Sequence, residues 1–316
     1  MEDMARLIAF GPVPSRRLGQ SLGINNIPPK SCSYSCLYCQ VGLTRDITTE
    51  RKEFYSVNDI FSKVEGKIRG AKRKGEVVDY LTFVPDGEPT LDINLGRTIT
   101  MLKQFGIKIA VITNASLLWK SSVRDYLCLS DWVSVKIDAV SEYLWRKINR
   151  PHRSLELDKV LMGISEFSDV FKGELATETM LVQDVNDSDE EIKKIAEFIS
   201  KLRSSTSYIG IPTRPPAGKD VKAPGGDTVN RAYQLFRERE INVEYLIGYE
   251  GNSFAFTGDV EQDLLSITAV HPMKEEAVGR FLLKADANWE IVEGLIESGK
   301  LMKARYRNQN FYMRKI

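Results

Sequence analysis

Histidine is almost missing from this 316-residue chain: His152 and His271 are the only two, and cysteine occurs just four times. With three of those four cysteines crowded into one loop, no disulfide framework is available, which points to a reducing cytosol. An excess of either charge is missing too. Lys plus Arg total 44 against 43 Asp plus Glu, a net charge of +1, so any nucleic-acid surface has to be a local patch. No apolar run is long enough to span a bilayer, and the opening Met-Glu-Asp-Met has no signal-peptide character, so the expectation is a cytoplasmic protein with no membrane partner. No repeat or low-complexity tract breaks the chain. Its length allows one α/β domain with an appendage, or two domains, and is ample for a buried core.

What is present is a cluster of thiols. Cys32, Cys36 and Cys39 follow one another with three and then two residues between them, while Cys128 lies far away in Tyr126-Leu-Cys-Leu129 and reads as a buried apolar filler. Three thiolates on one loop can hold three irons of a four-iron, four-sulfur cluster and leave the fourth open, which makes a reactive site and not a plain relay. Zinc is the rival reading, but a structural zinc site takes four protein ligands and no histidine lies nearby.

Around that loop the chain alternates. Leu22–Ile27 reads as a first strand feeding the cysteines and stopped by Pro28 and Pro29, and the Pro/Gly-punctuated Phe10–Gly19 before it reads as an ordered loop or edge piece. Strand patterns over Tyr80–Val84, Lys108–Thr113, Val133–Ile137, Leu175–Leu181 and Tyr208–Ile211 are separated by helical ones, the clearest being Val57 to about Lys74 with Ile60, Val64 and Ile68 at helical spacing. The repeat of strand and helix predicts parallel strands with helices outside, a partial (βα)6-type barrel in the α/β class, with function at the C-terminal strand ends. Val243–Ile247 reads as a further strand closing the first domain, and the glycine-containing stretch 248–258 as a boundary. The expected division is 1–258 for the barrel, with its cysteine loop at 28–42, and 259–316 for a small C-terminal module. In that module Lys274–Leu283 and Trp289–Ser298 read as helices, Asn288 as an N-cap, and Leu301–Tyr306 with Phe311–Arg314 as a hairpin.

The cysteine spacing, with Tyr38 just before the last thiol, resembles the cluster loop of the radical S-adenosylmethionine (radical SAM) enzymes. The resemblance implies two cofactors, one 4Fe–4S cluster and S-adenosyl-L-methionine, and a reductant partner such as flavodoxin or ferredoxin. It further implies that the open iron is chelated by the amino and carboxylate groups of the cofactor, whose reductive cleavage leaves a 5′-deoxyadenosyl radical. Cys32, Cys36 and Cys39 are thereby the expected metal-binding and catalytic residues. Asp86-Gly-Glu88 at the end of Tyr80–Val84 resembles the family's second motif, a glycine-permitted close turn whose carbonyls and carboxylate suit an α-amino group; a generic Asp-Gly turn is the bland alternative. By the same likeness Tyr38, Thr113, Asn114, Ser116, Lys136, Asp138, Gly210 and Ile211 are candidate cofactor contacts. Lys136 and Asp138 flank Ile137, so they share a face; an ion pair inside the barrel is the rival role for them. Arg16, Arg17, His152 and Arg214 are candidate substrate contacts, and Arg214, held between prolines, is pre-organised to meet an anion. Tyr249, Phe254 and Phe256 read as core, or else as a cover over the barrel mouth.

Helix, turn, helix and hairpin in the tail resemble a winged-helix module. The second helix carries Glu290, Glu293 and Glu297, so DNA reading by it is disfavoured. The hairpin, with Lys300, Lys303, Arg305, Arg307, Arg314 and Lys315 interleaved with Tyr306, Phe311 and Tyr312, is a candidate RNA contact, a solvated ribbon, a dimer contact or a peptide-docking edge. Gly11-Pro-Val-Pro-Ser-Arg-Arg-Leu-Gly19, Gln40-Val-Gly42, Gly87-Glu-Pro-Thr-Leu91 and Pro212-Thr-Arg-Pro-Pro216 together resemble the prokaryotic subgroup grouped with the tRNA wyosine base synthases. Those synthases carry further cysteines upstream for a second cluster, whereas here none precedes Cys32, which argues against pyruvate condensation on a tRNA base. The expected function is radical SAM modification of an RNA base or nucleoside-like substrate. The alternatives are action on a protein, peptide or small metabolite with the tail as recognition or dimerisation module, and a cluster-bearing DNA-binding regulator.

Overall fold

The computed structural model describes residues 8–247, 254, 256, 258–270, 272–306 and 308–315. Tyr249, His271, Arg307 and most of the expected boundary 248–258 lie outside these described residues, as does the opening Met-Glu-Asp-Met. Eight strands form one sheet that curls into a partial barrel. In chain order they are β1 (Ala9–Ser15), β2 (Gly19–Ile24), β5 (Tyr80–Phe83), β6 (Lys108–Thr113), β7 (Trp132–Lys136), β8 (Glu174–Met180), β9 (Thr206–Gly210) and β10 (Val243–Leu246), and they neighbour one another in that same order. The short β3 (Ser31–Cys32) and β4 (Asp46–Ile47) pair with each other across the cysteine loop. Every pairing from β2 to β10 is parallel; only β1, hairpinned onto β2, runs antiparallel. Within the Phe10–Gly19 stretch, residues 10–15 are therefore edge strand and residues 16–18 are the turn into β2. The strand's prolines are tolerated because an edge strand leaves one row of backbone groups unpaired.

The strand period of two divides the sheet into two chemically different faces. Leu22, Leu81, Phe83, Ile109, Val111, Val133, Val135, Leu175 and Ile209 point outward into the main core with helix residues such as Ile60, Val64, Ile99, Ile164, Ile195 and Leu235. Burying each such side chain contributes roughly 1.5–3 kcal/mol, so the helix layer is held chiefly by this face. The intervening residues point inward: Ala110, Trp132, Ala176 and Tyr208 pack with Leu18 at one level, and Lys136, Glu178 and Met180 lie towards the C-terminal strand ends. Ser56 and Ser188 cap the helices Val57–Arg73 and Asp189–Ser200 by accepting the amides of Asp59 and Glu191. Cys128, expected to be buried, is exposed; it holds the C-cap position of the helix Ser121–Leu127, whose buried residues are Val123 and Leu127.

The tail adds a helix that the sequence pattern did not reveal, Val260–Val270, ahead of the helices Glu275–Lys284 and Glu290–Glu297. A second sheet follows, from β11 (Met273–Lys274), β12 (Leu301–Tyr306) and β13 (Gln309–Arg314), in the order β11-β13-β12. Asn288 does not cap: Trp289 holds the N-cap position without a side-chain bond, and Asn288 bonds Glu290 at 3.1 Å. Phe10 and Val13 of β1 are buried in one cluster with Phe254, Leu264, Phe281 and Tyr312, so the tail packs on the sheet's antiparallel edge. Lys67 and Asp263 join the two across 2.6 Å, with the Asp263 side chain 1% exposed. Replacing Asp263 by Ala removes this carboxylate from beside a Lys67 side chain that is 15% exposed. The expected loss is ~3 kcal/mol, read as a lower guanidinium midpoint at unchanged slope.

Candidate active site

The cysteine loop is laid against the strand ends by main-chain bonds. Glu88 N–H donates to Ser31 O at 3.1 Å and Lys30 N–H to Asp86 O at 2.9 Å, which brings the turn after β5 against the loop. A Cβ built on Gly87 would stand 1.8 Å from Ser31 O, so only glycine permits that approach. On the other flank, Ser35 N–H donates to Asn149 O, Leu37 N–H to Ile148 O and His152 N–H to Ser33 O, at 2.8–3.0 Å. His152 thus acts through its backbone; its ring meets Ser154 and lines neither of the cavities described here.

Cys32, Cys36 and Cys39 line one cavity of about 210 Å³ together with Tyr38, Asp86, Gly87, Glu88, Thr113, Asn114 and Lys136. Burial pushes all three thiols up. Cys36 reaches about 12, with Asp138 adding to the rise and a hydrogen bond from Asn149 opposing it. Cys32 is driven well above its ordinary value, with Glu88 and Cys36 adding, and Cys39 is raised against the opposing effects of the Val41 amide and Lys30. Any metal held by these thiols would have to displace their protons. Among the described residues, no three His, Cys, Asp or Glu side chains converge as ligands of one metal ion would.

Two carboxylates of the second motif have different fates. Glu88 is saturated: one oxygen accepts Thr90 N–H at 3.0 Å and the Thr90 and Thr113 hydroxyls at 2.6 Å each, and the other accepts Asn114 N–H at 2.7 Å. It ties the end of β5 to the end of β6. Asp86, 3% exposed, has no hydrogen-bond partner on either carboxylate oxygen, and burial pushes it up to about 7 against Lys30 and Arg314. Asn114 donates to Ser33 Oγ at 2.9 Å and reaches Cys32 Sγ at 3.6 Å, whereas Ser116 is fully buried behind the loop on Ser33 Oγ at 2.6 Å.

Lys136 and Asp138 do not pair. Lys136 Nζ lies 2.6 Å from Glu178 Oε1, and Arg17 binds the other Glu178 oxygen at 2.5 Å. Its two cationic partners outweigh the cost of burial and hold Glu178 at about 2. Asp138 sits behind the cavity wall, accepting Tyr38 O–H, Asn149 Nδ2–H at 2.7 Å and Met180 N–H at 2.8 Å. A second cavity of about 180 Å³ shares Arg17, Gln40, Val84, Ile112 and Glu178 with the first and is also lined by Arg16, Gly210, Ile211 and Arg214. Two lining or supporting residues escaped the sequence reading. Lys30, whose ammonium burial lowers against the pull of Cys39 and Asp86, was signalled only by its place between the paired prolines and Cys32. Asn149 gave no signal of its place beside Cys36, since it opens the polar run Asn149-Arg-Pro-His152, 113 positions along the chain from that thiol.

Three half-buried thiols around one cavity, beside a turn that only glycine fits and an orphaned carboxylate, suit an iron–sulfur cluster with one open iron and a cofactor bearing an ammonium group. The comparisons agree: residues 26–199 match the model of the radical SAM superfamily, and the chain belongs to that superfamily. It is accordingly an enzyme, with a 4Fe–4S cluster and S-adenosylmethionine as cofactors. It is 49% identical to the UPF0026 protein MJ1312 of Methanocaldococcus jannaschii over 98% of this chain and 96% of that protein. A more distant relative, at 21% identity over 67% of this chain and 60% of its own length, is the dual-specificity RNA methyltransferase RlmN of Geotalea uraniireducens. Among solved structures, a radical SAM methyltransferase from Sphaerobacter thermophilus shares the fold with a TM-score of 0.57 at 17% identity, covering 72% of this chain and 66% of that one.

Two outcomes are expected from this geometry. Gly87→Ala forces Ser31 away from the turn, so iron bound after anaerobic reconstitution should fall well below the wild-type level, measured by iron and sulfide assay. Glu178→Gln leaves Lys136 and Arg17 sharing no carboxylate and should cost ~3–5 kcal/mol at neutral pH. Because the folded-state value of Glu178 is depressed from the ordinary 4.5 to about 2, its contribution is complete above 4.5 and is lost as pH falls towards 2. The gap between variant and wild type in denaturant midpoint should therefore close over that window.

Proposed function

We propose that this chain is a single-cluster radical SAM enzyme of the subgroup related to the tRNA wyosine base synthases, and that its substrate is an RNA base or a nucleoside-like molecule. The observation that carries the chemistry is the shared cavity. Cys32, Cys36 and Cys39 line it together with Asp86, whose buried carboxylate has no hydrogen-bond partner, and it adjoins a second cavity at the strand ends. When bound, the cluster and S-adenosylmethionine supply a 5′-deoxyadenosyl radical that takes a hydrogen atom from the substrate. The three cysteines would hold three irons. Asp86 would meet the cofactor's ammonium, and the cavity-facing Asn114 and Lys136 would meet its carboxylate. Tyr38, Thr113 and Glu88 keep the loop and strand ends in place, Ser116 and Asp138 support them from behind, and Gly210 with Ile211 offers backbone to an adenine. Arg16, Arg17 and Arg214 would face the substrate in the second cavity, with Gln40 between the two spaces.

The RNA reading draws on the tail and on the distant RNA methyltransferase relative. Residues 259–316 make a module whose order, helix, short strand, two helices and hairpin, with the last strand central in the sheet, supports the winged-helix reading. Lys300, Lys303 and Arg305 are exposed along the hairpin. Glu275 offsets part of that charge, since it lies 3.2 Å from Lys303. Tyr306 O–H donates to Pro212 O at 3.1 Å, which brings the hairpin against the loop that carries Arg214. The acidic faces of Glu290 and Glu293 still speak against DNA.

Reduced, anaerobically reconstituted protein should convert S-adenosylmethionine to 5′-deoxyadenosine and methionine with about four irons per chain, the content of one cluster. An intact cluster without cleavage would sink the reading, and twice that iron would overturn the single cluster. Leu301, Phe311 and Tyr312 are buried, so the hairpin is better tested by charge than by deletion. The double change Lys300→Glu with Arg305→Glu should weaken transfer-RNA retention and its salt dependence. Undiminished retention removes the hairpin from RNA binding, and no retention by the unaltered protein favours a protein, peptide or metabolite substrate.

A further inference from the structure

Asn149 is 2% exposed and ends the helix Glu142–Asn149. Its amide nitrogen lies 3.4 Å from Cys36 Sγ and 2.7 Å from Asp138 Oδ2. Sulfur and carboxylate are both acceptors, so the NH2 end of the amide, with its two hydrogens, is the end that faces them. Its position is over-determined. Ser35 N–H, one residue before Cys36, donates to Asn149 O at 3.0 Å, and Leu37 N–H, one residue after, donates to Ile148 O at 2.9 Å. Arg150 then turns the chain away in the left-handed conformation at φ +45°, and Pro151 bridges to Tyr34. Asp138, held in turn by Tyr38 O–H and Met180 N–H, takes one amide hydrogen and aims the other at the sulfur. Cys32 has a weaker counterpart in Asn114, at 3.6 Å, whose nitrogen is shared with Ser33 Oγ at 2.9 Å.

We propose that Asn149 is a positioning residue that sets the reduction potential of the cluster through its hydrogen bond to Cys36 Sγ, with Asp138 fixing the orientation of its amide. The inference rests on the cluster being held by Cys32, Cys36 and Cys39. One-electron reduction by an external donor adds negative charge that the thiolate sulfurs share. An N–H donor on a sulfur therefore stabilises the reduced form more than the oxidised form and raises the potential. Asn149 is itself buried, so water is kept from supplying a substitute donor in its place.

The test is a redox titration followed by electron paramagnetic resonance on anaerobically reconstituted wild type, Asn149→Leu and Asn149→Ala, with S-adenosylmethionine absent and present. Leu keeps the bulk and removes the donor, while Ala removes both. The expected result is a midpoint potential more negative in both variants, with iron and sulfide contents equal to wild type and an altered signal of the reduced cluster. Unchanged potentials with full cluster content overturn the proposal while leaving the enzyme reading intact. Loss of the cluster from both variants makes Asn149 a scaffold and overturns it as well. A wild type that assembles no 4Fe–4S cluster would sink the cofactor reading first, and this inference with it.

Discussion

The cysteine loop can be buried only because its backbone finds partners on both sides, and the rest of the site depends on that constraint. A loop with buried amides and carbonyls is stable when each is paired. Ser31 meets the turn after β5, and residues 33–37 run beside 148–152. The first contact demands glycine at 87, since any side chain would occupy the place of Ser31 O. The second brings Asn149 beside Cys36, although 113 residues separate them in sequence. Both flanks belong to strand-end connections, so the curl of the sheet positions the thiols.

Inside the barrel the same alternation that builds the apolar core leaves a polar interior to be balanced. Glu178 is central there. It bonds Lys136 and Arg17 at once, and Arg17 also lies 5.9 Å from the ring centroids of both Trp132 and Tyr208. This group forms the wall between the two cavities, which share Arg17 and Glu178. A buried acid with two cationic neighbours stays ionised, and the cations stay in place because the acid does. Glu88 achieves a similar fixity with neutral donors, four bonds from hydroxyls and amides, and so serves the framework while the Asp86 carboxylate is left buried without a partner.

Much of the architecture was legible in the chain. The alternation of strand and helix from Leu22 to Ile211 announced parallel strands, and the six strands read there correspond to β2 and to β5 through β9. Period-two patterns on strands buried on one face are robust, because a slip by one residue would turn every apolar side chain to the wrong side. The edge strand β1 was read less well, because prolines 12 and 14 mask its pattern. The helix Val260–Val270 was missed, because it follows an irregular stretch and has little contrast between its faces; Asp263 and Ser266 are buried along with Leu264 and Ile267. Cys128 was misjudged for a related reason: composition places cysteine inside, but the helix face decides.

By itself the sequence pointed to a ligand set and determined the class of fold and the type of chemistry. Those follow from local spacing, which places three thiols on one short loop whatever surrounds it. It also brought Glu88 and Asn114 to the ends of adjacent strands. Only the tertiary structure decided which polar side chains face a cavity and which serve as struts. Asp86 and Glu88 are two residues apart, yet one is orphaned and the other saturated. Lys136 chose Glu178 over Asp138, and Asn149 proved to be a neighbour of sulfur. Such choices depend on which donors from distant strands arrive within about 3 Å, the reach of a hydrogen bond. Spacing along the chain carries no record of that distance.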